Sequence, residues 1–197
     1  MGYYRKAKGN ELQMCYYGDP VLKRQSVDLV EITEEIRNFA ERMIVTMRAH
    51  EGIGLAAPQV GRNINLITLE IFPPHPEDPQ PTSPGEMALL PRMPMALVNP
   101  KISGFSSQTS VYDEGCLSIP KITGEVERPE YLELTATDIN GQPVNYRCGG
   151  MLARCIQHEI DHLNGILFTE LVSDEHFKRI ESKLKKMQRD TEKRLKK

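Results

Sequence analysis

The sequence lacks any run of apolar residues near the ~18 that a helix needs to cross a membrane. We therefore expect no membrane association. The N-terminal residues carry charge without an apolar core, which is not the pattern of a secretory signal. The four cysteines are too few and too scattered to form a dense disulfide framework. With 197 residues, 39% of them hydrophobic, and a net charge of −2, the chain is expected to form a single domain over 1–197.

The most informative feature present is the pentapeptide His158-Glu159-Ile160-Asp161-His162, which has the form H-E-x-x-H. On a helix, two histidines four residues apart lie on one face, where their imidazoles can bind a single transition-metal ion. Glu159 then lies about 100° around the helix from His158, and from there it can reach a water without binding the metal. The motif therefore indicates metal-assisted hydrolysis.

Two histidines do not complete a catalytic site, because such sites usually have three protein ligands and one open position. Phe168 stands where the metzincin pattern has its third histidine, and a phenyl ring cannot bind a metal. Glu181 would serve in a thermolysin-like zinc endopeptidase, but it lies in a polar, lysine-rich segment. Cys116, within Glu114-Gly115-Cys116-Leu117-Ser118, is the better candidate because a thiolate is a soft donor.

A third segment, Gly52-Ile53-Gly54-Leu55-Ala56-Ala57-Pro58-Gln59, is nearly free of bulky polar side chains but ends in a carboxamide. Its small residues allow a substrate backbone to lie close by. Gln59 can donate an amide N–H to a carbonyl oxygen. The segment is therefore a candidate for substrate binding and for stabilisation of a developing oxyanion.

Together and in this order, the three segments resemble the peptide deformylase family, whose motifs are G-x-G-L-A-A-x-Q, E-G-C-x-S and H-E-x-D-H. The resemblance extends from about Cys15 onward. It implies a metal-dependent hydrolase that removes the formyl group from the N-terminal formylmethionine of newly synthesised proteins and releases formate. N-formylmethionyl peptides would then be its substrates.

The resemblance also implies a role for each motif residue. Cys116, His158 and His162 would bind the metal, Glu159 would transfer protons, and Gln59 and the Leu117 backbone N–H would stabilise the oxyanion. Candidate substrate-binding residues are Ile53, Gly54, Gly115, Met151 and Cys155. The implied metal is Fe²⁺ in the cell, with Zn²⁺ or Ni²⁺ as alternatives. Because a thiolate ligand needs reducing surroundings, we expect a cytoplasmic protein.

The predicted fold class is α+β: short antiparallel strands packed around a central helix that carries the H-E-x-x-H motif, with a further helix at the C-terminus. Apolar periodicity predicts helices at Thr33–Arg48 and Met151–Leu163. Strands are predicted at 65–71, 95–102, 109–112, 131–138 and 143–147. Asn140-Gly141 is typical of the tight turn between the last two.

Two segments differ from the rest in composition. The segment Phe72–Pro94 contains eight of the 14 prolines and is expected to be a stiff, solvated loop, with a substrate lid as the alternative. The segment Glu175–Lys197 is expected to be a helix with an apolar stripe and a basic end. The basic end is either simply solvated or contacts the ribosome, as the family resemblance implies.

Two charged residues near the motifs are expected to support the site. Arg128 either holds the Glu114 carboxylate or is an ordinary surface arginine. Asp161 is expected to support the structure, for example by accepting the second N–H of a metal-binding imidazole. Two other functions remain open: a zinc endopeptidase, if Glu181 binds the metal, and a non-catalytic metal-binding module, which would usually need a fourth protein ligand.

Overall fold

The computed structural model describes residues 6–72, 77 and 82–196. The helices are α1 (Glu34–Ala49), α2 (Pro84–Leu89), α3 (Gly150–Leu163) and α4 (Asp174–Leu195). The strands are β1 (Gly54–Ala56), β2 (Leu66–Leu69), β3 (Met95–Phe105), β4 (Thr109–Cys116), β5 (Ile119–Pro129), β6 (Leu132–Asp138) and β7 (Pro143–Cys148). The predicted α+β class, with a central motif helix and a C-terminal helix, is confirmed.

The strands form two antiparallel sheets. Five of them lie in the order β1-β2-β3-β6-β7, and β4 pairs with β5 in a separate hairpin. The turn between β6 and β7 is the predicted one, with Gly141 in the left-handed region at φ 85°. β5 was not predicted. Within the described residues, β1 and β4 each pair with only one neighbouring strand, so both have an open edge.

The five-stranded sheet is covered by a helix on each face. Ile67 and Leu97 point to the side of α3 and pack with Leu152 and Ile156. Leu66 and Val98 point to the other side, where they join the apolar face of α1. Because β2 is buried on both faces, its sequence is apolar almost throughout and does not alternate. This packing fixes the position of α3.

The predicted helices form with clear end signals. Thr33 caps α1 by accepting a hydrogen bond from the Ile36 N–H. Gly165, at φ 74°, follows the end of α3. Ser173 caps α4, and the predicted apolar stripe of α4 packs with the β4–β5 hairpin through Ile180, Leu184 and Met187. Within the described residues, no helix is both long and apolar enough to cross a membrane.

The segment Phe72–Pro94 differs from the predicted solvated loop. Residues 73–76 and 78–81 lie outside the described part of the chain. The second half forms α2, which begins at a capping box between Ser83 and Glu86. Leu89 is fully buried in the core beside α3, and Ser83 Oγ accepts the Gly149 N–H at 2.9 Å. This half therefore packs against the start of the motif helix.

Candidate metal centre and active site

Three side chains that could hold a metal ion come together from two elements. His158 and His162 lie one turn apart on α3, with ring centroids 5.0 Å apart. Cys116 is the last residue of β4, and its Sγ lies 3.2 Å from His162 Nε2. One ligand atom from each of the three residues lies within 4.8 Å of the others. They form the one group of this kind found in the described residues.

The chemistry of these donors suits a transition metal. A thiolate and two imidazoles are preferred ligands of Zn²⁺ and of late first-row ions, including Fe²⁺ and Ni²⁺. Burial lowers the pKa of His162 well below its usual value, so its ring is neutral, as a ligand must be. Burial has the same effect on His158, but hydrogen bonds with Cys116 and Glu114 outweigh it and raise its pKa to about 10. A metal would therefore displace a proton from His158.

Glu114 orients His158. Its Oε2 accepts the His158 Nδ1–H at 2.9 Å, and both of its oxygens accept hydrogen bonds from Arg128, at 2.6 and 3.0 Å. Burial alone would raise the pKa of Glu114, but these hydrogen bonds outweigh it and lower the pKa to about 2. The predicted contact between Arg128 and Glu114 is confirmed. A carboxylate on the non-ligating nitrogen fixes the tautomer and orientation of a metal-binding imidazole.

Asp161 supports the structure as predicted, but its partner is an arginine and not an imidazole. Its Oδ2 accepts from Arg128 at 2.8 Å, and Glu114 takes the role at His158. Asp161 therefore supports the arginine that supports Glu114. The Nδ1 of His162 is buried, with no hydrogen-bond partner among the described residues.

Glu159 shares the cavity with the candidate ligands Cys116 and His158 and is itself buried, with 3% of its surface exposed. Its Oε2 has no hydrogen-bond partner among the described residues, and burial raises its pKa to about 7. Gly54 packs directly against it, so that a Cβ at this position would collide with the carboxylate and lie 2.7 Å from Cys155 Sγ. Glu159 is thus tightly packed against Gly54. Its pKa of about 7 is close to that expected of a general base at neutral pH.

Gln59 is held in a fixed orientation next to Cys116. Its Oε1 accepts the Ala56 N–H at 2.8 Å, which turns Nε2 toward the hairpin. Nε2 lies 3.4 Å from Cys116 Sγ and 3.3 Å from Ser118 Oγ. The carboxamide therefore presents its donor end next to the predicted ligand Cys116.

A cavity of about 570 Å³ opens onto these groups. Its lining includes Cys116, His158, Glu159, Gln59 and Leu117, together with all five predicted substrate-binding residues: Ile53, Gly54, Gly115, Met151 and Cys155. His162 is buried behind this surface, with 1% of its area exposed. Every residue that the deformylase resemblance assigned to metal binding or catalysis, and every predicted substrate-binding residue, thus lies at the cavity or directly behind it.

Glu181 lies elsewhere. It is on α4, is 44% exposed and forms an ion pair with Lys185 at 2.8 Å. It belongs to no metal-binding group in the described part of the chain.

Sequence reasoning missed Arg154, which lies one turn before His158 on α3. Its side chain is 9% exposed and donates to Glu114 at 2.8 Å. The signal was present, because a charged residue on a helix predicted to be buried needs a partner.

A preformed three-ligand centre, an adjacent buried carboxylate and a substrate-sized cavity define a metal-dependent hydrolase with a single metal ion. The sequence model of the polypeptide deformylase family matches residues 11–178. The chain belongs to this family.

Relatives and solved structures that are similar to this chain are likewise named peptide deformylases. Peptide deformylase 2 of Gloeobacter violaceus is 45% identical over 80% of this chain and 77% of that protein. The crystal structure of a peptide deformylase from Synechococcus elongatus in complex with actinonin is 38% identical and covers 90% of this chain and 88% of that one, with a TM-score of 0.75. The deformylase from Ehrlichia chaffeensis, at 32% identity, covers 91% of this chain and 98% of that one, with a TM-score of 0.79.

Proposed function

We propose that the motif residues around the cavity carry out deformylation in this protein. The reaction is the removal of the formyl group from an N-terminal formylmethionine, which releases formate and a free amino terminus. Family membership supports this function. The observation that carries the residue assignment is that Cys116, His158 and His162 converge beside Glu159 in one cavity.

Cys116, His158 and His162 would hold the metal. When bound, the ion would polarise the formyl oxygen and lower the pKa of a water. The donor set fits several ions, and we propose Fe²⁺ in the cell because the family resemblance points to it, with Zn²⁺ or Ni²⁺ able to replace it.

Glu159 would act as the general base and then as the general acid. It accepts a proton from the attacking water and delivers it to the amine nitrogen as the C–N bond breaks, so it ends the cycle unchanged. Its burial supports this role, because a carboxylate with a pKa of about 7 can both accept and release a proton near neutrality.

Gln59 and the backbone N–H of Leu117 would stabilise the formyl oxygen as it becomes negative. The support for Gln59 is its fixed orientation, with Oε1 bound to the Ala56 N–H and Nε2 facing Cys116. Because the donor is already aligned, no reorganisation is needed during the reaction.

The substrate peptide would lie extended between the open edges of β1 and β4, next to Gly54 and Gly115. Backbone pairing gives affinity with little dependence on sequence. The methionine side chain would enter the space walled by Ile53, Met151 and Cys155. Actinonin, present in the Synechococcus elongatus structure, would bind in the same cavity here.

A zinc endopeptidase is not favoured. A zinc endopeptidase would need Glu181 as the third ligand. The Glu181 side chain is 44% exposed and is paired with Lys185 on α4. Nor is a structural metal site favoured, because such a site usually has four protein ligands and leaves no free carboxylate beside the metal.

We also propose a cytoplasmic location, because Cys116 must stay reduced, and contact between α4 and the ribosome. The support for ribosomal contact is a set of exposed basic residues on α4: Lys183, Lys185, Lys186, Arg189 and Lys193. Cell fractionation tests the location. Co-sedimentation with ribosomes, weakening steeply as salt is raised, tests the contact.

The proposed function is tested by removing and restoring the metal. Chelation should abolish formate release from a formylmethionyl peptide, and Ni²⁺ should restore it. Formate release by metal-free protein at the rate of the loaded protein would contradict the proposal.

A further inference from the structure

The proposed metal ligands belong to two separate parts of the fold. His158 and His162 lie on α3, which packs on the five-stranded sheet. Cys116 lies at the tip of the β4–β5 hairpin, which forms its own sheet and belongs to a different apolar cluster. A three-ligand site therefore depends on how firmly the hairpin is held against α3.

Arg154 on α3 connects the helix to the β4–β5 hairpin, and we call the contact between these two parts the junction. Its Nη1 donates to Glu114 Oε1 at 2.8 Å and to the Val126 carbonyl at 3.1 Å. Its Nη2 donates to the Ser110 carbonyl at 2.8 Å and to Ser110 Oγ at 3.0 Å. One guanidinium on α3 thus binds three positions on the two strands of the hairpin.

Arg128 makes the reverse connection, from β5 to Glu114 on β4 and to Asp161 on α3. Both arginines meet at Glu114, whose second oxygen accepts the His158 Nδ1–H. Side-chain exposure at this junction is low: 5% for Glu114, 6% for Arg128 and 9% for Arg154. Hydrogen bonds between charged groups in such surroundings are strong and directional.

We propose that Arg154 is a positioning residue that fixes the hairpin bearing Cys116 against α3 and thereby sets the affinity and geometry of the metal site. Arg154 is not a candidate ligand. It also lines the cavity, but both of its terminal nitrogens donate to the hairpin and are not directed to a substrate. This inference rests on the proposed ligand set of Cys116, His158 and His162.

The informative variant is Arg154→Met, which keeps an unbranched side chain of similar length but cannot donate. Glu114 would retain its hydrogen bonds from Arg128 and His158, so the variant is expected to fold. Loss of residues that orient metal ligands typically costs 10–100-fold in metal affinity. We expect a loss of about tenfold or more for Arg154→Met, and a smaller loss for Arg154→Lys, since one ammonium cannot reach Glu114 and Ser110 together.

The measurement is a Co²⁺ titration of metal-free protein, followed by the visible absorption of the bound ion. Arg92→Met is the matched control, because Arg92 also pairs with a buried carboxylate, Asp138, at 2.8 Å but away from the site. It should keep wild-type Co²⁺ affinity. Arg154→Met should bind Co²⁺ more weakly, show an altered spectrum and have a lower kcat with little change in KM.

Wild-type affinity and spectrum in Arg154→Met would overturn the inference, even if activity fell, because Arg154 would then act only as a cavity wall. If that variant did not fold, Arg154→Lys would decide in the same way: wild-type Co²⁺ affinity would overturn the inference. Wild-type protein is measured first for Co²⁺ binding and formate release. Failure there would count against the proposed function instead.

Discussion

The ring of Phe168 stacks beside the imidazole of His158, with centroids 6.3 Å apart and an interplanar angle of 25°. Phe168 is 1% exposed and packs in the apolar cluster that includes Cys116 and the hairpin. Phe168, which stands at the position of the third metzincin histidine, therefore packs against His158 and restricts the orientation of its ring. The third donor near the two histidines is Cys116, whose Sγ lies 3.2 Å from His162 Nε2.

The first prediction concerns this third ligand. Cys116→Ala should lose the metal, because two imidazoles alone leave an incomplete site. Glu181→Gln should keep full metal content and activity, since the Glu181 side chain is 44% exposed and paired with Lys185. Metal content per protein after desalting provides the readout. Full metal content in Cys116→Ala would refute the ligand assignment.

The second prediction concerns Glu159. Glu159→Gln keeps the size of the side chain but cannot carry a proton, so it should bind metal and peptide with a kcat lowered by about 10²–10⁴-fold. Metal content and steady-state formate release are measured on the same preparation. If metal and activity were lost together, Glu159 would be a ligand or a structural support and not the acid–base group.

The third prediction concerns the close fit between Gly54 and Glu159. A Cβ at Gly54 would collide with the Glu159 carboxylate, and pairing of Gly54 with Leu69 on β2 restricts a backbone shift. Because misplacement of a catalytic group by about 1 Å can cost 10²-fold, Gly54→Ala should lose most activity while retaining its metal.

Gly104→Ala is the matched control for Gly54→Ala. Gly104 also lies in a strand, and its Cβ would meet only Glu133, at the ordinary contact distance of 3.5 Å. Its activity should equal that of wild type. Comparable activity in the two alanine variants would show that the fit at Gly54 is not needed.

The fourth prediction concerns oxygen. A ferrous ion bound to a thiolate and open to solvent can be oxidised by O₂, whereas Ni²⁺ in the same site is not, and loss of the ferrous ion exposes the Cys116 thiolate to oxidation. The Fe²⁺ form should therefore lose activity faster in air than under argon, whereas the Ni²⁺ form should decay equally in both. The half-life of formate release is the measured quantity. An Fe²⁺ form equally durable in both atmospheres would weaken the case for iron as the working ion.

Local signals in the sequence identified much of the fold. The helix predicted at Thr33–Arg48 is α1, Glu34–Ala49, with Thr33 as its cap. The strand β5 was missed because two of its inward positions are Gly124 and Arg128, which interrupt the apolar alternation. Arg128 points inward because its charge is matched by Glu114, a tertiary contact that periodicity cannot reveal.

The same limit applied to the site. Helix spacing alone placed His158, Glu159 and His162 together. The resemblance to the deformylase family added Cys116 and Gln59 to the same site. Which residue binds the Nδ1–H of His158 depends on how β4, β5 and α3 pack. The sequence therefore could not show that Glu114, held by Arg154, takes this role and that Asp161 does not. By contrast, α2 could have been predicted, since Ser83-Pro84 and Glu86 form a visible capping box.

The most direct test of the whole account is product analysis after protein loaded with Fe²⁺ under argon acts on formyl-Met-Ala-Ser. A deformylase releases one formate for each free Met-Ala-Ser and leaves every internal peptide bond intact, and we expect this result. Mass spectrometry and a formate assay on the same sample give both quantities. Cleavage between amino acids with the formyl group retained would contradict the account and favour an endopeptidase.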